Sequence, residues 1–290
     1  MLNFLNCPKT RLGTLDCAEH YLFLFIDFQQ LRSIDIEQFF GIIFSELKKQ
    51  SGQAIELSLT QDYEGMRYLI EYLTAEGFKL IFLFDEFECI TKNEKYGPEF
   101  YSIFRSLANN YSLAFVTASG KNLKNMCVTH EIADSPFFNI FTVQHIGHFR
   151  DKDALALITV PSEDWGIPLA PVADKILSMG GRYPFFLRIA CSSWFEFLES
   201  EDMNAEDYRD QKIPKDIIKI FREETEPHFE YILETLPRAE IEVFKQILKG
   251  STPDPLQAET LERKGYIVEA GEGFRPFSSE FELFLKRMLN

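Results

Sequence analysis

The stretch Lys79-Leu-Ile-Phe-Leu-Phe-Asp85-Glu86-Phe-Glu88 is apolar until its end, where it delivers two adjacent carboxylates. In a parallel α/β sheet, ligands bind at the C-terminal edge of the strands. An acid placed there can hold the hydration shell of Mg²⁺, and the next carboxylate can orient or deprotonate a water attacking a terminal phosphate. Asp85 reads as the metal residue and Glu86 as the base. A second apolar run ends in Val116-Thr117-Ala118-Ser119-Gly120. It would carry the hydroxyls of Thr117 and Ser119 to the same edge, within reach of that water or of the phosphate. Further on stands Gly180-Gly181-Arg182-Tyr183-Pro184-Phe185. Pro184 can open a helix without losing a bond, the glycines allow a close backbone approach to a ligand, and Arg182 can neutralise phosphate charge. The plainer reading is a solvated strand end in an acidic protein, followed by a loop and a helix start.

These groups need a scaffold. Tyr21 to Asp27, Lys79 to Phe84 and Ser112 to Ala118 are continuous apolar runs of the kind that form parallel strands buried on both faces, and Asn139 to His145 reads as a fourth. Ile36, Phe39, Phe40, Ile43, Phe44 and Leu47 make a helical stripe behind an Asp35/Gln38 capping box. Met66, Leu69, Ile70 and Leu73 repeat the spacing before Gly77, and Pro98 opens another helix with Tyr101, Phe104 and Leu107 on its buried side. Alternating strands and helices predict a parallel α/β core over residues 1–149. Helices at about 151–159, 171–179, 184–199 and 214–235, punctuated by Pro161, Pro168, Gly180-Gly181 and Pro227, predict a helical lid over 150–235. Residues 236–290 read helix, helix, hairpin, helix, the order of a winged helix.

Composition excludes several classes. The chain has 290 residues, 46% hydrophobic with 29 Phe, which rules out disorder. Thirty basic against 45 acidic residues leave a charge of −15, a field that repels phosphate backbones and anionic lipid. The candidate recognition helix, Pro255 to Lys264, sets Glu259 and Glu262 beside Arg263 and Lys264, so it carries no basic stripe and is read as a packing and interaction surface. No apolar run approaches the roughly 20 residues that span a bilayer, and no secretory signal is visible, so the cytoplasm is the expected compartment. Five cysteines without a C-x-x-C pair argue against a disulfide framework or a zinc knuckle. His145 and His148 have no Cys or carboxylate nearby in sequence to complete a metal site.

Taken together, the segments resemble the signal-transduction (STAND) and origin-recognition-like branch of the AAA+ P-loop ATPases. Phe84-Asp85-Glu86 resembles that family's Walker B, Thr117 to Gly120 its sensor 1, Ser135-Pro136-Phe137-Phe138 through Phe149 its approach to the fifth strand, and Gly180 to Pro184 its sensor 2 segment. The resemblance implies a P-loop NTPase-type sheet with a helical lid and winged helix. It also implies ATP and Mg²⁺ as cofactors, with Gly181, Arg182, Tyr183 and Pro184 at the nucleotide. Protein partners or fused effector domains, and assembly into a homo-oligomer, are implied as well.

The departure is the P-loop itself, since G-x-x-x-x-G-K-[ST] occurs nowhere. In the family that loop and its strand precede the strand matching Tyr21–Asp27, and here Met1 to Asn6 resembles only the tail of the P-loop helix. Either the family's fourth and fifth strands close directly on each other, or an upstream segment is missing from this sequence; the second is expected. Without the loop's amides and lysine, ATP affinity should collapse. Two functions therefore stand: a regulatory ATPase switch whose nucleotide state gates partner assembly, and a catalytically inactive protein-binding scaffold of the same fold. A metal-dependent hydrolase using Asp85, Glu86 and Glu88 is a third and has fewer ligands to support it.

Overall fold

The computed structural model describes residues 2–31, 33–52, 59–120, 127, 129–133, 135–271 and 273–289. The chain divides into two compact units, Met1–Val143 and Gln144–Asn290.

The first unit runs α1 (Leu2–Asn6), α2 (Pro8–Thr14), β1 (Tyr21–Asp27), α3 (Ile36–Ser51), α4 (Tyr63–Ala75), β2 (Lys79–Asp85), α5 (Glu88–Thr91), α6 (Pro98–Asn110), β3 (Leu113–Thr117) and α7 (His130–Ala133). The three strands are parallel and ordered β1-β2-β3. Alternation splits each apolar run between two faces. Leu22, Leu24, Ile26, Phe82 and Phe84 meet the stripes of α3, α4 and α6 in a core dense with rings, where Phe100 and Phe104 stack 4.4 Å apart. Phe23 and Leu83 point the other way and pack with Leu2 of α1. The capping box at Asp35 is present, its carboxylate accepting from the Gln38 N–H at 2.9 Å.

The fourth strand predicted at Asn139–His145 does not form. Pro136–Ile140 is a 3-10 turn, and residues 141–150 have no regular structure. A strand needs a laddered neighbour, and among the described residues β3 pairs only with β2. The run's aromatic residues serve as plugs instead. Phe137 packs on Phe141 at 5.0 Å and on Phe115 at 5.7 Å, while Val143 is left 72% and Ile146 67% exposed.

The second unit holds α8 (Asp151–Asp164), α9 (Ala173–Gly180), α10 (Pro184–Glu201), α11 (Lys215–Thr235), α12 (Arg238–Leu248), α13 (Pro255–Arg263), the antiparallel pair β4 (Ile267–Ala270) and β5 (Gly273–Pro276), and α14 (Ser279–Leu289). Pro161 and Pro227 do not stop their helices as the sequence suggests. Each removes one ladder bond, yet Ala154, Ile158 and Ser162 in α8, and Ile217, Phe221, Phe229 and Ile232 in α11, stay buried across the interruption. The helical segment and the C-terminal helix-helix-hairpin-helix segment share one apolar core. No described helix is long and apolar enough to cross a membrane.

Candidate functional site

Two seven-residue strands, Tyr-Leu-Phe-Leu-Phe-Ile-Asp and Lys-Leu-Ile-Phe-Leu-Phe-Asp, pair in register along their whole length, so Asp27 stands beside Asp85 at the C-terminal edge of the sheet. Side chains paired across a parallel ladder share a face, which puts both carboxylates on the side of Phe23 and Leu83. Asp27 is fixed by the Gln29 N–H at 2.9 Å and the Gln30 amide at 3.0 Å. Its partner Asp85 accepts from the Glu86 N–H at 3.1 Å. Sequence reasoning missed Asp27, although its signal was present: two apolar runs of equal length each ending in Asp.

Glu86 follows in the left-handed region, at φ 51°. For a non-glycine residue that conformation costs about 1–2 kcal/mol. The turn is what buries Phe87, fully enclosed and stacked on Phe84 at 5.6 Å, a gain of about 1.5–3 kcal/mol. Burying the ring after the strand throws the preceding carboxylate out, and Glu86 is exposed at the sheet edge.

The tip of β3 is stitched to this turn. Ala118 N–H donates to the Phe84 carbonyl at 2.8 Å, Phe87 N–H to the Ala118 carbonyl at 3.1 Å, and Gly120 N–H to Glu88 Oε1 at 3.0 Å. The structure thus brings Asp85, Glu86, Thr117 and Ser119 to one edge. Thr117, however, is in register with Phe84, so alternation sets it on the aromatic-core face, opposite Asp85. Ser119, exposed beyond the strand, is not bound by that alternation. Glu88 is occupied by Gly120, and its Oε2 is buried without a hydrogen-bond partner. Asp85, Glu86 and Glu88 do not form a metal-holding cluster; among the described residues no group of three or more His, Cys, Asp or Glu does so. Asp27 and Asp85 would offer a Mg²⁺ ion two carboxylates, a number that fits a metal whose remaining positions are filled by water.

Gly181, Arg182, Tyr183 and Pro184 lie in the second unit. Gly181 adopts φ 63°, ψ −160°, and a Cβ there would fall 2.4 Å from the Phe277 carbonyl oxygen. The close approach predicted toward a ligand is thus made to the chain's own backbone. Arg182 Nη1 pairs with Asp151 Oδ1 at 2.8 Å, and Pro184 is the first residue of α10. Tyr183 packs on Phe186, Phe277 and His148, and burial raises its hydroxyl pKa.

His148 closes this corner. Its Nε2 donates to the Gly265 carbonyl at 2.6 Å, which leaves Nδ1 as a buried lone pair without a partner. Burial, and secondarily the Arg182 charge, hold its pKa below the ordinary 6.5, against the opposing pull of the Gly265 bond. A lowered folded-state value means that the unfolded chain takes up the proton first, so stability is full above about pH 6.5 and falls as the pH drops toward the folded value. Urea titrations at about pH 7.5 and about pH 5.5 should therefore show a larger acid loss in the wild type than in His148→Gln. Equal losses would mean that His148 is not the responsible group.

A family model described as Novel STAND NTPase 2 matches residues 3–251. The chain belongs to this family. Solved structures of other proteins share its fold. A Walker-type ATPase of Pyrococcus abyssi aligns with TM-score 0.57 at 15% identity over 91% of this chain and 84% of that one. The ORC2 protein of Aeropyrum pernix, in its ADPNP-ADP complexes, aligns with TM-score 0.55 at 13% identity over 99% and 83%. No curated protein matches the sequence. This member of the STAND NTPase 2 family thus shares the overall fold of these ATPases, including a parallel sheet.

Proposed function

We propose that this STAND/AAA+-like NTPase domain is a regulatory switch, in which nucleotide state biases assembly with protein partners or with further copies of the chain. The observation that carries the reading is the sheet edge, with Asp27 and Asp85 side by side and Glu86 turned outward next to them. Asp85, supported by Asp27, would hold the hydration shell of Mg²⁺. Bound Mg²⁺ supplies charge neutralisation to the phosphates. Glu86 orients a water and accepts its proton, and the Ser119 hydroxyl donates to that water or to a phosphate oxygen. Within the second unit, Arg182, which holds Asp151, is the cation proposed to meet a phosphate group, with Gly181, Tyr183 and Pro184 setting its backbone. The C-terminal helix-helix-hairpin-helix segment serves as a winged-helix interaction module.

The 290-residue polypeptide contains no glycine-rich lysine loop. That absence favours a second reading, a catalytically inactive scaffold that keeps the fold for protein binding. Each charge-assisted phosphate bond the loop would make contributes about 1.5–3 kcal/mol, so their loss removes most ATP affinity. Titration of this polypeptide with a fluorescent ATP analogue and Mg²⁺ should show no saturable binding in the micromolar range. Micromolar, Mg²⁺-dependent binding, with turnover abolished in Glu86→Gln, would overturn the expected loss of affinity and exclude the scaffold.

A further inference from the structure

We infer that residues 144–289 respond to any signal as one rigid body, so that the C-terminal segment 236–289 is not an arm that swings on the helical lid. Segments that move independently meet through modest, polar, hydrated interfaces, and relative motion is the default unless the interface is large and apolar. The junction here is of the second kind. Phe277, at the end of the hairpin, stacks on Phe186 of α10 at 5.1 Å and on Phe281 of α14 at 4.7 Å. Phe229 of α11 packs at a tilt against Phe281 at 5.0 Å and Phe284 at 5.4 Å. All five rings are buried.

Polar fasteners surround the rings on three sides. Ser279 Oγ donates to the Ser178 carbonyl at 2.8 Å, tying the start of α14 to α9. Arg222 of α11 holds Glu280 of α14 at 2.7 Å, and Glu280 is almost wholly enclosed. His148 reaches Gly265 between α13 and the hairpin, and Gly181 lies directly against the Phe277 backbone. A swing at residue 236 would separate Phe277 from Phe186, separate Phe281 and Phe284 from Phe229, and open all of these fasteners at once. It would leave a buried carboxylate without its cation and bare a continuous aromatic surface. A partner that grips the C-terminal segment therefore displaces the lid with it, and a lid displaced by a ligand carries the C-terminal segment along. This inference does not depend on nucleotide binding.

Native-state hydrogen exchange across a urea series tests it on the intact chain. The slowest amides of α10 and α14 should share one opening free energy and one urea dependence. Phe277→Ala should lower the protection of both helices by the same factor, within about twofold. Exchange of α12 to α14 through a cheaper opening with its own, smaller urea slope, while α10 stays protected, would overturn the inference. So would a Phe277→Ala effect confined to α14. Where that variant fails to fold, the wild-type isotherms alone decide between the two outcomes.

Discussion

Gly181→Ala should lower the stability of the second unit by roughly 3 kcal/mol or more, among the larger effects available to a single methyl group. Two costs combine. Backbone at φ 63°, ψ −160° belongs almost wholly to glycine, and forcing another residue into it costs about 1–3 kcal/mol. The added carbon would also sit 2.4 Å from the Phe277 carbonyl oxygen and 3.0 Å from its ring. Neither neighbour can retreat easily, because Phe277 is held between Phe186 and Phe281. Gly13→Ala in α2 is the matched control, since nothing lies within 4 Å of its added carbon. There the substitution should be neutral or gain up to about 1 kcal/mol from helix propensity. Urea midpoints for the two variants give the comparison, and a Gly181→Ala loss no larger than that of Gly13→Ala would show that the 181–277 approach is looser than described.

Arg222→Leu should cost about 3 kcal/mol, because it leaves Glu280 charged and enclosed with its cation gone. The Glu280 side chain is 7% exposed and that of Arg222 37%, so this pair lies nearer the buried limit than the surface pairs along α8 and α13. Most of the cost is the stranded charge rather than the worth of the bond. The double variant Arg222→Leu/Glu280→Met should therefore recover most of the loss, as apolar replacement of enclosed pairs commonly does. A double-mutant cycle in urea separates these terms. A single-variant loss below about 1 kcal/mol would assign the pair to the solvent-screened class.

What the sequence revealed follows what each signal physically depends on. β1, β2 and β3 were legible because a strand buried on both faces must be apolar throughout, and few other elements six or seven residues long need that. The strand end carrying Asp85 and Glu86 was legible because the acids interrupt an apolar run at its end. The supposed strand at 139–145 has an equally suitable composition, but strand formation depends on a neighbour, and a neighbour is not a local property. Thr117 stands at the edge the sequence assigned to it, but its face was not legible, because the run Leu-Ala-Phe-Val-Thr fixes alternation only after its register with Phe84 is known. Gly180 and Gly181 announced a close approach, but the neighbours, Phe186 and Leu187 for the first and Phe277 for the second, are set by the fold. Asp27 required comparing two distant runs rather than scanning one.

Among the described residues, the aromatic core around Phe39, Phe84 and Phe104 and the one around Phe186, Phe229 and Phe281 have no residue in common. Each half of the chain can therefore melt on its own account, and a calorimetric trace is free to contain two endotherms rather than one. A lone midpoint quoted for the whole polypeptide would then average two unlike events. Damage at Gly181 or Arg222 belongs to only one of them, and the acidic rim of the β-layer would keep its shape through the other.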